Sequence, residues 1–245
     1  MMVGLIVILL AASLPLLKRL IDSDRRSAQP RLLQSQLIRQ VQDATMLVLA
    51  YKETPTPEGL LREWHVGSGW VYDVSRGLIV TNAHVVTDGT EFQAGPSAQL
   101  GSASREAMAY CGELDLAILR VDTIAGLPTL EMASDDSARP GDPVYAAGYP
   151  PSRVSSPETR TLRSIPLSWN PGEIQSAPSD VGGDFLFHSA ELDHGNSGGP
   201  LVNTSGQLVG MNTAITRVSG VGVAIPVDVL RETIPRMLEH EEVCS

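Results

Sequence analysis

The sequence predicts an all-β chain bounded by helices. From His65 onward, short runs of β-type residues alternate with glycine-bearing turns: Val66 to Tyr72, a turn at Ser75-Arg76-Gly77, then Leu78 to Thr81. The middle of the chain shows few helical periods. Aromatic residues make up only 4% of the 245 residues, and short, regularly punctuated strands of this kind suit barrels better than layered sheets.

The elements follow in order. Met1 to Leu17 is almost wholly apolar and, at about 1.5 Å per residue, would reach roughly 25 Å as a helix, slightly short of a hydrocarbon core. The run ends at Lys18-Arg19, so residues 1–22 are expected to be a hydrophobic membrane anchor or signal segment. No positive region precedes it. The basic residues Lys18, Arg19, Arg25 and Arg26 follow it instead, which by the positive-inside rule would hold the remainder on the cytoplasmic side. Residues 23–45 read as a polar linker and a short amphipathic helix, with Leu33, Leu37 and Val41 at four-residue spacing from Arg31 to Ala44. Met46 to Tyr51 is the first strand, and Thr54-Pro55-Thr56-Pro57 is expected to break it into a loop. Leu114 to Val121 is a further strand with Asp115 near its start. Glu131 to Gly141, rich in Ser, Asp and Pro, connects two halves, and Pro143 to Gly148 opens the second. Between Tyr149 and Pro178 the prolines at 150, 151, 157, 166 and 171 predict a surface insertion with one strand near Leu162 to Leu167. Gly172 to Ala177 then resumes the regular pattern. Val229, Leu230, Ile234 and Leu238 among charges predict a closing amphipathic helix over Val227 to His240.

Composition narrows the function. With 42% hydrophobic residues the chain has enough for a true core, and its formal charge of -10 without a basic cluster argues against nucleic acid as a partner. No cluster has metal-ligand spacing and no glycine-rich loop opens a helix to cradle phosphate, so no cofactor is expected. Cys111 and Cys244 are too few for a disulfide framework, and whether they pair is open.

The chemistry centres on Gly195-Asn196-Ser197-Gly198-Gly199-Pro200. A serine flanked by glycines can stand exposed on a tight turn, with backbone N–H groups beside it. As a nucleophile elbow this turn would need a helix after the serine and a catalytic histidine downstream. Instead Leu201-Val202, a turn at Asn203-Thr204-Ser205-Gly206, and Gln207 to Gly210 read as strand, turn, strand, and the later histidine is His240 in a charged terminal segment. The order His, Asp, Ser is met upstream, by His84 in Thr81-Asn82-Ala83-His84-Val85-Val86 and Asp115 in Asp115-Leu116-Ala117-Ile118-Leu119.

These segments, with Gly67-Ser68-Gly69-Trp70-Val71 and Gly222-Val223-Ala224-Ile225-Pro226, resemble the chymotrypsin-like serine proteases, and among them the HtrA/Deg-type proteases. The resemblance runs from about Met46 to Glu239. It implies two β-barrels, residues 46–133 carrying His and Asp and residues 134–245 carrying Ser; many members of the resembled family carry a PDZ domain after them, and none is expected here. It implies a serine endopeptidase acting on protein or peptide substrates. Ser197 would be the nucleophile, His84 the general base and Asp115 its orienting partner, with the N–H groups of Gly195 and Ser197 as the oxyanion hole. Asn196 stands where digestive relatives carry an aspartate that pairs with a newly cut N-terminus, so activation by that ion pair is not expected. Glu191, Leu192, Thr213 and Ile215 would line or adjoin the primary pocket. Leu192, Thr213 and Ile215 favour aliphatic residues, whereas Glu191, if aimed inward, would select Lys or Arg. An extracytoplasmic setting and a role in protein quality control or regulatory proteolysis also follow from the resemblance, which admits homo-oligomers although no residue here demands one. A catalytically idle binding or chaperone-like module and an esterase on the same residues are the competing readings.

Overall fold

A computed structural model describes residues 34–111, 114–122, 124–134, 138–151, 165–176, 185–215, 221–240 and 243. The chain divides into two compact units, Met1–Arg39 and Gln40–Ser245, and the second holds every strand among the described residues. The anchor expected over residues 1–22 lies outside the described residues, as does Cys244 and the side chain of Cys111. Among the described residues no helix is long and apolar enough to cross a membrane.

Two six-stranded barrels form the fold. β1 (Thr45–Thr56), β2 (Gly59–Asp73), β3 (Leu78–Thr81), β4 (Glu91–Gly95), β5 (Gly101–Cys111) and β6 (Leu114–Val121) close in the order β1-β2-β3-β6-β5-β4. β7 (Pro143–Gly148), β8 (Ser168–Ser176), β9 (Leu186–His188), β10 (Pro200–Asn203), β11 (Leu208–Ile215) and β12 (Gly222–Pro226) close in the order β10-β11-β12-β9-β8-β7. Three helices complete the described chain: α1 (34–44), the single turn α2 (Ala83–Val86) and α3 (Val227–Leu238). α3 buries Val227, Leu230, Thr233, Ile234 and Met237, so its inward face lies slightly round from the one the apolar pattern suggests.

β1 is buried on both faces from Thr45 to Tyr51. Met46, Val48 and Ala50 point into the first-barrel core with Val71, Ile79, Ala117 and Leu119. Leu47 and Leu49 point the other way, onto Tyr149 and Ile165 from the second half of the chain. A strand whose successive side chains enter two apolar layers has no polar alternation to show, which is why this stretch reads as an unbroken hydrophobic run. The second core gathers Val144, Ala146, Ile174, Leu186, Leu201, Val209 and Ala224. Tyr149 ties the layers together: its hydroxyl donates to the Thr45 carbonyl at 3.2 Å, and burial followed by the Asp43 charge pushes its pKa up to about 12.

Two expectations about proline are corrected. Thr54-Pro55-Thr56-Pro57 does not end the first strand as a loop: β1 continues to Thr56, pairs Pro55 with Leu60, and turns back at once into β2, with Thr56 Oγ1 donating to the Gly59 carbonyl at 2.8 Å. Proline is tolerated where no ladder partner needs its N–H. In the second half, the strand expected near Leu162 to Leu167 is absent from its described part, residues 165–167. β8 instead begins at Ser168 and runs through Pro171, which pairs with Tyr145 of β7.

Leu49 is 2% exposed within the layer between the barrels. Replacing it by alanine should lower the unfolding free energy by about 3 kcal/mol, whereas Leu49→Met should cost under about 1.5 kcal/mol, as read from urea denaturation.

Candidate active site

His84 sits in α2, directly after β3, and Asp115 is the second residue of β6, the strand paired with β3. Adjacent strands therefore bring the two together. Asp115 Oδ2 accepts from His84 Nδ1 at 2.6 Å, and Asp115 Oδ1 accepts from the His84 backbone N–H at 2.9 Å. Asn82 Nδ2 donates to the Asp115 carbonyl at 2.8 Å, which locks the start of β6 to the turn carrying His84. A third bond reaches the carboxylate from the other barrel: Thr213 Oγ1 of β11 donates to Oδ2 at 2.7 Å. Burial raises the Asp115 pKa, but the bonds and charge of His84 and the Thr213 bond outweigh it and leave the carboxyl below its usual value. It is therefore ionised at neutral pH, which makes Nδ1–H the favoured His84 tautomer and leaves Nε2 free to accept a proton. The His84 side chain is 38% exposed and that of Asp115 15%, so the ring is reachable from solvent while its partner is sheltered.

Ser197 lies on the turn between β9 and β10. That turn is closed by Asn196 N–H to the Asp193 carbonyl (3.0 Å), Gly199 N–H to the Asn196 carbonyl (2.9 Å) and Gly198 N–H to the Asn212 carbonyl (2.8 Å). Gly195 has φ of 97°, and a Cβ there would lie 2.6 Å from the Tyr149 carbonyl and 2.7 Å from Pro151 Cδ. Only glycine fits. Among the described residues neither the Gly195 nor the Ser197 N–H donates to a protein acceptor. Ser197 Oγ donates to the Thr213 carbonyl at 3.3 Å and makes no hydrogen bond to His84.

Three of the four pocket candidates have identifiable contacts. Thr213 spends its hydroxyl on Asp115, and Leu192 packs against the second-barrel core. Glu191 is exposed, while its carbonyl accepts from Asn170 Nδ2 at 2.7 Å. Ile215 stands at the end of β11 opposite Gly222. Three supporting roles were absent from the sequence reading: Thr213 as a partner of Asp115, Ser168, whose hydroxyl donates to Asn196 Oδ1 at 2.9 Å, and Asn212, whose Nδ2 donates to the Gly199 and Pro200 carbonyls at 3.1 and 3.2 Å. A short polar residue inside an apolar strand was the available signal, since such groups need partners when buried. No group of three or more metal-ligating side chains occurs among the described residues.

A family model described as "Trypsin-like peptidase domain" matches residues 67–211. The chain belongs to the trypsin-like peptidase family. Among relatives of this peptidase, a probable periplasmic serine endoprotease DegP-like of Rhizobium meliloti (strain 1021) is 35% identical over 77% of the chain and 36% of the relative. The mitochondrial serine protease HTRA2 of Bos taurus is 37% identical over 69% of the chain and 36% of the relative. The peptidase thus spans little more than a third of the length of these relatives. In fold, the two barrels match the HtrA-type protease AlgW solved with a decapeptide, at a TM-score of 0.70 and 24% identity over 85% of this chain and 68% of that one. A serine endoprotease from Yersinia pestis matches at 0.65 and 26%, over 84% and 66%. The likeness is to the HtrA/DegP type of trypsin-like peptidase domain.

His188, in β9 of the peptidase's second barrel, is fully buried, and neither ring nitrogen has a hydrogen-bond partner. Burial pushes its pKa down to about 4, against a smaller upward pull from the Asn212 side chain. The unfolded chain takes up this proton below pH about 6.5, and the folded chain not until about 4. Stability should therefore fall between those values, by up to about 3 kcal/mol, and level off below. Urea denaturation at pH 7 and pH 4.5 should show the loss, and His188→Gln should reduce it.

Proposed function

We propose that this chain is a serine endopeptidase in which Ser197, His84 and Asp115 form the catalytic triad. The observation that carries the reading is the triple clamp on Asp115, by the His84 ring, the His84 N–H and Thr213 Oγ1. A carboxylate held from both barrels against one imidazole nitrogen has the arrangement that general base catalysis needs at the other. Ser197 Oγ attacks the scissile carbonyl carbon as its proton passes to His84 Nε2. The C–N bond then breaks, the same proton goes to the leaving amine, and water repeats the sequence on the acyl-enzyme. The Gly195 and Ser197 N–H groups receive the oxyanion, and losing one such donor typically costs about 3 kcal/mol of barrier.

The substrates in this reading are unfolded or regulatory proteins outside the cytoplasm, a setting supported by relatives named as periplasmic endoproteases. Aliphatic side chains are preferred before the cut. A carboxylate selecting Lys or Arg would be expected at the sheltered base of a pocket, whereas Glu191 is exposed. One observation favours the idle binding module: the Ser197 hydroxyl rests on the Thr213 carbonyl and not on His84. Catalytic hydrogen bonds are often loose without substrate, so the endopeptidase reading accommodates this contact.

Labelling of the full 245-residue chain by a fluorophosphonate probe distinguishes them. The probe should modify the wild type and leave Ser197→Ala unlabelled. Asp115→Asn, which removes the anion and the tautomer it enforces, should slow labelling by about 10³-fold or more. A folded wild type inert to the probe would overturn the endopeptidase reading in favour of the binding module.

A further inference from the structure

The segment Gly67-Ser68-Gly69 lies in β2 of the first barrel, yet its serine reaches the nucleophile turn of the second. We propose that Ser68 is a positioning residue of the oxyanion hole, an inference that rests on the endopeptidase reading above. Ser68 is fully buried. Its hydroxyl donates to the Gly195 carbonyl at 2.7 Å, and its backbone N–H donates to the Ser197 carbonyl at 2.8 Å. One residue thus pins the carbonyls on either side of Asn196, within the short stretch whose two N–H groups form the hole.

The hydroxyl has little freedom to do otherwise. Ser68 Oγ also accepts from the Tyr149 N–H at 2.9 Å, and the Ser68 carbonyl accepts from Thr81 Oγ1 at 2.6 Å. With one lone pair committed to Tyr149, the Ser68 proton is aimed at Gly195. Gly195 is the residue in this turn that most needs such a restraint. It has no side chain, and its φ of 97° is open only to a residue with wide backbone freedom. A donor on its carbonyl supplies the orientation that a Cβ cannot.

The neighbouring glycines permit this approach. A Cβ on Gly67 would lie 2.6 Å from Val85 Cγ1, and one on Gly69 would lie 2.8 Å from the Val80 carbonyl. A Cβ on Gly198 would lie 2.2 Å from the Ser68 carbonyl. Backbones that meet this closely leave room for one small polar side chain, and serine fills it. Ser68 touches neither substrate nor the reacting atoms; it acts through the peptide units that adjoin those carrying the two N–H groups.

The test compares wild type, Ser68→Ala and Ser68→Cys, both of which keep the backbone N–H bond to Ser197. The readouts are the second-order rate constant for fluorophosphonate labelling, the ³¹P shift of the phosphonyl adduct, and kcat and KM on p-nitrophenyl acetate, with thermal melting as the check on folding. Labelling and kcat should fall by about ten-fold or more in Ser68→Ala, with KM within about two-fold and a displaced ³¹P resonance, since the loss falls on the tetrahedral state. Ser68→Cys, a weaker donor of similar shape, should lie between the two. A folded Ser68→Ala that labels within two-fold of wild type with an unmoved ³¹P shift overturns the proposal. So does a Ser68→Cys of full activity should the alanine variant not fold. A wild type inert to the probe overturns the endopeptidase reading and this inference together, whereas a reactive wild type with an indifferent Ser68→Ala overturns this inference alone.

Discussion

The candidate site depends on hydrogen bonds that cross the seam between two separately closed barrels. Asp115 belongs to β6 and Thr213 to β11, and their 2.7 Å bond joins the His84 side of the site to the strand beside Ser197. Ser68 of β2 makes the complementary link to the turn itself, at Gly195 and Ser197. Neither barrel holds the full set of groups alone. A shift of one barrel by an ångström would break both links, because polar contacts of this kind weaken steeply with distance and angle.

Next to Ser197, Asn196 is held by a neutral contact. Ser168 of β8 donates to Asn196 Oδ1, and the interior contact is neutral on both sides. Burying a charge pair would require desolvating two ions, whereas a hydroxyl and an amide oxygen are satisfied by one short bond. Asn212 supports the same turn from β11, with its amide on the carbonyls of Gly199 and Pro200. The order of this loop is therefore built into the strands around it.

Much of this was legible in the sequence. His84, Asp115 and Ser197 carry distinctive neighbours in a fixed order, and the alternation of short strands and glycine turns points to barrels. What escaped was mostly context. Pro55 and Pro171 read as breakers but occupy strand positions, because a proline's effect depends on which way its missing N–H would have pointed. The bond from the Thr213 hydroxyl to Asp115 also escaped, since no local pattern reveals a partner 98 positions away. Ser68 was visible only as part of a motif, since its hydroxyl meets a residue 127 positions further on.

β1 contributes alternate residues to two apolar layers: Met46, Val48 and Ala50 to the first-barrel core, Leu47 and Leu49 to the layer shared with Tyr149 and Ile165. That double membership bears on cooperativity. The first barrel cannot open without stripping cover from Tyr149, and the seam cannot part without exposing the back of β1. Loss of either half thus removes apolar contacts from the other, which favours one all-or-none melting event over stepwise release. That coupling keeps partly opened forms rare, and with them the forms most open to proteolysis.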